Sequence, residues 1–278
     1  MRNCVDSISP HHLSFTSSQY LPIFAAQVYD GNKALLAKNS TAINLKSVMI
    51  GNGITDAFSM AGRGYYEHTC TNASGLPPFG SVIECQAMAL ALPRCEEMMQ
   101  KDCLDRMDLL GCEAAVNFCQ THIGSALFKA GLNPYDISKP CTLEELSDSL
   151  CYPETKKIAR YLDLPSVRKT LGVSPHLGAF QSCSPAVGQA FNLAADGLGK
   201  TWYYVAALLE HGIDILTYIG KYDWICNSSG NYIWTDRLEW SGHEEFSSKD
   251  LRDWHVDGEV AGQTRSAKGL TCESALDG

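Results

Sequence analysis

The apolar residues of this chain fall into two textures. Between residues 18 and 30, "SQYLPIFAAQVYD" spaces its hydrophobic side chains for a helix with a polar cap and a proline in its first turns. "NLKSVMIGNG" then concentrates apolar residues at positions 48–50 and closes on glycines, the pattern of a short buried strand. From about residue 65 the texture changes. Stretches such as "VIECQAMALALPRCEEMMQKDCL" are helical and short, and no comparable apolar strand appears before about residue 160. Afterwards "LPSVRKTLGV" and "TWYYVAALLEHG" predict helices, the second stopped by Gly212, and "IDILTYIG" predicts a β-branched strand followed by another helix in "NYIWTDRLEW". The closing "EVAGQTRSAKGLTCESALDG" reads as a polar tail of small residues without a closing helix. Helix alternating with buried strand predicts an α/β fold with a parallel sheet. Its partial core is discontinuous, 11–64 and 161–270, with 65–160 as a helical insertion.

Composition changes this picture mainly through cysteine. Of twelve cysteines in 278 residues, eight lie between positions 70 and 151, a density suited to an oxidising compartment and disulfide bonds. Cys103, Cys112 and Cys119 are spaced nine and seven apart and no C-x-x-C pair occurs, so zinc ligation is disfavoured and neither metal nor cofactor is expected. Asn39, Asn72 and Asn227 open N-x-[ST] triplets, legal glycan acceptors on a secretory route. Against that route, "MRNCVDSISPHHLSF" lacks the apolar stretch of a signal peptide. No run is long enough to span a membrane. A formal charge of -9 without a basic patch argues against nucleic acid as a partner.

The candidate chemistry centres on "ILTYIGKYDWICN". Asp223 follows the carboxyl end of a predicted strand, where open α/β sheets place catalytic groups, although a loop aspartate making a turn or cap contact fits the same spacing. Cys226 is a buried thiol or a bridge partner, and Trp224 suggests the apolar wall of a cleft. An orienting carboxylate needs a histidine and a nucleophile. No G-x-S-x-G elbow exists; Ser14, Ser17 and Ser18 precede the first helix without a glycine and read as capping or solvent-facing hydroxyls. His243 and His255 follow Asp223 in the chain order of an elbow-type triad, yet neither sits in a glycine-framed loop. "GNG" at 51–53 reads as a tight turn rather than a phosphate nest.

Taken together, "YLPIFAAQVYD", "LKSVMIGNGITD", the cysteine series, "ILTYIGKYDWICN" and "NYIWTDRLEW" resemble the fungal serine carboxypeptidases of the carboxypeptidase Y type, from about residue 11 to about 270. The resemblance implies an α/β-hydrolase core with a disulfide-bonded helical insertion, peptide C-termini as substrates, and a vacuolar or secreted location. It implies that Asp223 is the triad aspartate, that Cys226 is the pocket cysteine, and that the bridges are Cys70 with Cys85, Cys95 with Cys119, Cys103 with Cys112 and Cys141 with Cys151. Cys183 matches a cysteine whose mate in the family precedes this chain, and Cys4 and Cys272 have no family counterpart. The family's G-E-S-Y-A-G-H-Y motif, anchored on Tyr20, puts Phe15 in the nucleophile's place and Ser14 in that of a substrate-holding glutamate. After "GLT" the chain reads "CESALDG" and stops, so the resemblance gives the catalytic histidine no counterpart, nor the family's first strands and oxyanion-hole glycines. The expectation is a carboxypeptidase-like protein truncated at both ends and inactive as written. The alternatives are a non-enzymatic peptide- or protein-binding relative and the remnant of a carboxypeptidase-like acyltransferase.

Overall fold

A computed structural model describes the backbone of residues 11–15 and, in full, residues 19–194 and 196–276. Ser17, Ser18 and Cys4 lie outside the described residues. Six strands form one sheet: β1 (His11–Phe15), β2 (Leu45–Gly51), β5 (Asp214–Gly220), β6 (Arg252–Val256), β7 (Glu259–Ala267) and β8 (Leu270–Ala275), in the spatial order β1-β2-β5-β8-β7-β6. A separate two-stranded hairpin pairs β3 (Leu132–Asn133) with β4 (Asp136–Pro140). The first four strands of the large sheet run parallel, and β7 and β6 continue it antiparallel. Position 15 therefore lies opposite Ile50, Ile50 opposite Thr217 and Thr217 opposite Cys272, so the carboxyl ends of four strands open on one edge.

Local chemistry explains the elements. In the helix Trp202–Glu210, Val205, Leu208 and Leu209 are buried, one face at three- and four-residue spacing. The helix ends with Gly212 at φ +73°, Gly212 N–H donating to Leu209 O and Ile213 N–H to Leu208 O, a glycine stop that turns the chain directly into β5. The helix Tyr20–Ala37 buries Leu21, Pro22 and Ala25 and packs against the same helix. Leu21, Ala25, Val205, Leu208 and Leu209 join Val48, Ile50, Ile215, Ile219, Trp234 and Leu270 in one core around the sheet.

A second core gathers Tyr65, Met88, Leu92, Met99, Ala115, Ile123, Leu127 and Ile137. It lies within helices such as Val82–Met98 and Leu109–Cys119, stapled by four disulfides: Cys70–Cys85, Cys95–Cys119, Cys103–Cys112 and Cys141–Cys151. Trp224, just past β5, belongs to this second core, so the two packing units meet at the turn that carries Asp223. The helices Glu154–Leu162, Pro165–Thr170 and Pro185–Leu193 bury no side chain, and the main core resumes only near Trp202.

The closing segment overturns the expectation of a polar tail. Residues 259–267 and 270–275 are strands, and β8 pairs directly with β5 at the centre of the sheet. In β8, Leu270, Cys272 and Ser274 are buried and alternate with partly exposed neighbours. Small residues are required because the helix Ser228–Asp236 packs directly on this strand. Tight turns fold the ribbon back twice: Asp257-Gly258 (φ +51° and +89°) and Lys268-Gly269 (φ +46° and +87°) both place two consecutive residues at positive φ, the backbone of the two-residue hairpin turn.

Candidate active site

The turn after β5 places Asp223 at the open sheet edge, 4% exposed. Two donors hold its carboxylate: Asn52 Nδ2 donates to Oδ2 (2.6 Å) and Cys226 N–H to Oδ1 (2.9 Å). Asn52 follows β2 and adopts φ +41°, a left-handed conformation that asparagine tolerates better than most residues. Its backbone is tied to β5 as well, because Asn52 N–H donates to Tyr218 O (2.9 Å) and Gly220 N–H to Asn52 Oδ1 (3.3 Å). One asparagine thus locks the ends of two parallel strands around the carboxylate. Burial raises the Asp223 pKa above the ordinary aspartate value, while the bonds from Cys226 N–H and Asn52 pull against that rise.

Beside this group lies a cavity of about 520 Å³, lined among others by Asn52, Ile54, Tyr65, Met99 and Cys226. It spans both packing units, since Met99 and Tyr65 come from the second core and Ile54 packs on the first. Cys226 is half-buried on its wall, and desolvation together with the neighbouring Asp223 charge pushes its thiol pKa well up, keeping it protonated. A further cavity of about 560 Å³, lined among others by the ion-paired Arg63 and Glu96, is lined by none of Asp223, Asn52 or Cys226.

Several expected residues land elsewhere. Trp224 is 3% exposed; its ring stacks on Tyr65 at 3.8 Å and its indole N–H donates to Thr69 Oγ1, so it props the wall from behind instead of facing the cleft. Asn227 cannot carry a glycan in this fold. It is fully buried, accepting from Gly230 N–H (2.7 Å) and donating to Trp224 O (3.1 Å) as the N-cap of the helix Ser228–Asp236. Asn39 and Asn72 are exposed. His243 Nδ1 lies 3.1 Å from Leu238 O, and His255 is exposed on the edge strand β6, with β8 and β7 between it and β5, roughly 14 Å at the usual strand spacing. Cys272 is buried in β8 and Cys183 exposed, both as free thiols, so the two are not bridged to each other. As the middle residue of "GNG", Asn52 shows in the sequence only as part of a tight turn; its role as donor to Asp223 comes from a contact 171 residues away.

Comparison with known proteins bears on the whole chain. The family model for serine carboxypeptidase matches residues 17–277. A carboxypeptidase Y homolog A of Fusarium vanettenii is 34% identical over 255 residues, which cover 92% of this chain and 44% of the relative. The vacuolar serine-type carboxypeptidase ATG42 of Saccharomyces cerevisiae is 33% identical over 252 residues, 90% of this chain and 47% of the relative. The crystal structure of Kex1(delta)p, a prohormone-processing carboxypeptidase from Saccharomyces cerevisiae, superposes with a TM-score of 0.69 at 22% identity, covering 96% of this chain and 57% of that one, and shows a shared fold. The chain spans about half the length of the curated relatives it matches.

Proposed function

The chain belongs to the serine carboxypeptidase family, and we propose on that premise that Asp223 is the orienting carboxylate of an acyl-transfer centre that does not hydrolyse peptides in the chain as it stands. In such a centre a serine hydroxyl attacks the scissile carbonyl, a histidine takes and returns the proton, and a buried carboxylate holds the imidazole in the productive tautomer. A buried aspartate at the end of a central parallel strand, fixed by two donors, suits the third role.

The observation that carries the reading is the register of β1. Position 15, the nucleophile's place by the family motif, pairs with Ile50, two residues before Asn52, and so lies at the same sheet edge as Asp223. Phenylalanine stands there, and a phenyl ring has no atom able to attack a carbonyl. Among the described residues no histidine hydrogen-bonds Asp223; its bonds go to Asn52 and Cys226. The neighbouring cavity supports a retained capacity to bind, with peptide C-termini as the ligand class and Ile54, Met60, Met99 and Val116 as the apolar seat for a side chain. Four disulfides and the likeness to a vacuolar relative support a vacuolar or secreted setting.

The test is release of the C-terminal residue from an N-blocked dipeptide at mildly acidic pH, comparing the chain with its Phe15→Ser variant. No release from the parent is the expected result. Release that an active-serine phosphonylating reagent abolishes overturns the reading, because a serine outside position 15 would then be the nucleophile.

A further inference from the structure

The turn at residues 221–225 owes little to its own sheet. Lys221 N–H donates to Ala275 O (2.8 Å) and Asp223 N–H to Gly220 O (3.1 Å), both near the strand end. Asn227 Nδ2 donates to Trp224 O (3.1 Å), and further backbone support comes from the insertion. On one side, Ile137 N–H in β4 donates to Tyr222 O (3.0 Å), while Trp224 N–H (3.0 Å) and Ile225 N–H (3.3 Å) donate to Pro134 O between β3 and β4. On the other side stands the six-residue helix Tyr65–Cys70. Its Tyr65 stacks on Trp224 and its Thr69 accepts from the Trp224 indole. Between them, His68 is 1% exposed, with Nε2 3.3 Å from Lys221 O and Nδ1 3.1 Å from Ser229 Oγ.

A carbonyl only accepts, so Nε2 carries the hydrogen and Nδ1 of the neutral ring is left as an acceptor for the Ser229 hydroxyl. The imidazole thereby joins the residue two before Asp223 to the residue six after it. We propose that His68 is the positioning residue of the Asp223 turn: a rigid buried ring that fixes the span from Lys221 to Ser229 and thus the aim of the carboxylate and of the Cys226 N–H that binds it. The Asp223 and Asn227 side chains tie shorter segments of the same region, Asp223 to Cys226 and Trp224 to Gly230. This rests on the proposed function only in naming Asp223 the orienting carboxylate; the brace itself is independent of turnover.

The two free thiols Cys226 and Cys272 separate this idea from a general packing role. Cys226 sits on the turn and lines the cavity, whereas Cys272 is fully buried in β8. In a Cys4→Ser, Cys183→Ser background, labelling by a pyridyl disulfide is followed at both thiols. His68→Phe keeps a buried ring but leaves Lys221 O and Ser229 Oγ without this partner, and we expect Cys226 labelling to rise about tenfold while Cys272 labelling is unchanged, the signature of a local opening. His68→Gln supplies an amide donor and a carbonyl acceptor and is expected to stay within about twofold of the parent. Ser229→Ala, which severs only one anchor, is expected to raise Cys226 labelling by about threefold and serves if the phenylalanine variant fails to fold. Acceleration of both thiols together, or of neither, overturns the proposal. Loss of peptidase turnover plays no part in the readout, so failure of the carboxypeptidase reading and failure of the brace are distinguishable.

Discussion

Asp223 is held by side-chain and main-chain donors that partly offset the desolvation of its charge. Removing one donor exposes that balance. Asn52→Ala deletes the 2.6 Å bond to Oδ2, and a hydrogen bond to a buried charged group contributes about 1.5–3 kcal/mol, so we expect a stability loss of that order at neutral pH. The sign with pH follows from the carboxyl. Its folded-state pKa is already raised, and losing Asn52 raises it further, so the loss is largest where Asp223 is ionised and shrinks as acid protonates it. Denaturant titrations of the two proteins at neutral and at acidic pH check this. A constant difference across pH would mean that Asn52 matters for its left-handed backbone and not for its amide. Asp223 and Cys226 were legible from "ILTYIGKYDWICN", because a β-branched strand ending in a polar turn is a local pattern. Asn52 and His68 were not, since their roles depend on strand pairing and on contacts 171 and 153 residues away in the chain.

At the scale of elements, period decided what could be read. The helices Tyr20–Ala37 and Trp202–Glu210 and the strands β2 and β5 carry their periodicity in large apolar residues. The strands β7 and β8 carry theirs in Thr264, Cys272 and Ser274, whose small or polar side chains hide the alternation, although Asp257-Gly258 was a hairpin signal in plain view. The helices between residues 154 and 193 illustrate the opposite limit: the one in "LPSVRKTLGV" is readable in the sequence, yet none of the three fully buries a residue within this chain. Elements with so little buried surface open cheaply. Native-state amide exchange is therefore expected to be fast in Glu154–Leu162 and Pro185–Leu193 and slow in Leu109–Cys119, where Cys95–Cys119 closes a 24-residue separation and Cys103–Cys112 a 9-residue one. Bridges over such loops restrict the unfolded chain by about 3 kcal/mol each. Equal protection in both regions would show that the exposed helices are held by contacts the fold does not reveal.

For the whole molecule, His68 gives folding a pH dependence with a definite direction. Burial, with a smaller push from the Lys221 charge, lowers its pKa from 6.5 to about 4 in the folded state. The unfolded chain therefore binds the proton first on acidification. The stability associated with the neutral ring is complete above pH 6.5 and is lost as pH falls through the interval down to about 4. Summed over that interval the loss is about 3 kcal/mol, a large share of an ordinary folding free energy. Asp223 and Asp56 act in the other sense, because burial raises both carboxyls above their ordinary value and acid relieves the buried charge. The parent's own profile mixes these opposing slopes, whereas the difference between parent and His68→Gln cancels the carboxyls and leaves the histidine alone. That difference is expected to be near zero at neutral pH and to shift by about 3 kcal/mol in favour of the glutamine variant as the medium is acidified. Equilibrium unfolding of both proteins across the interval measures it directly. If the difference stays flat, the imidazole does not titrate between folded and unfolded states as its burial requires, and the support of the Asp223 turn has to be sought in the Pro134 and Ile137 contacts instead.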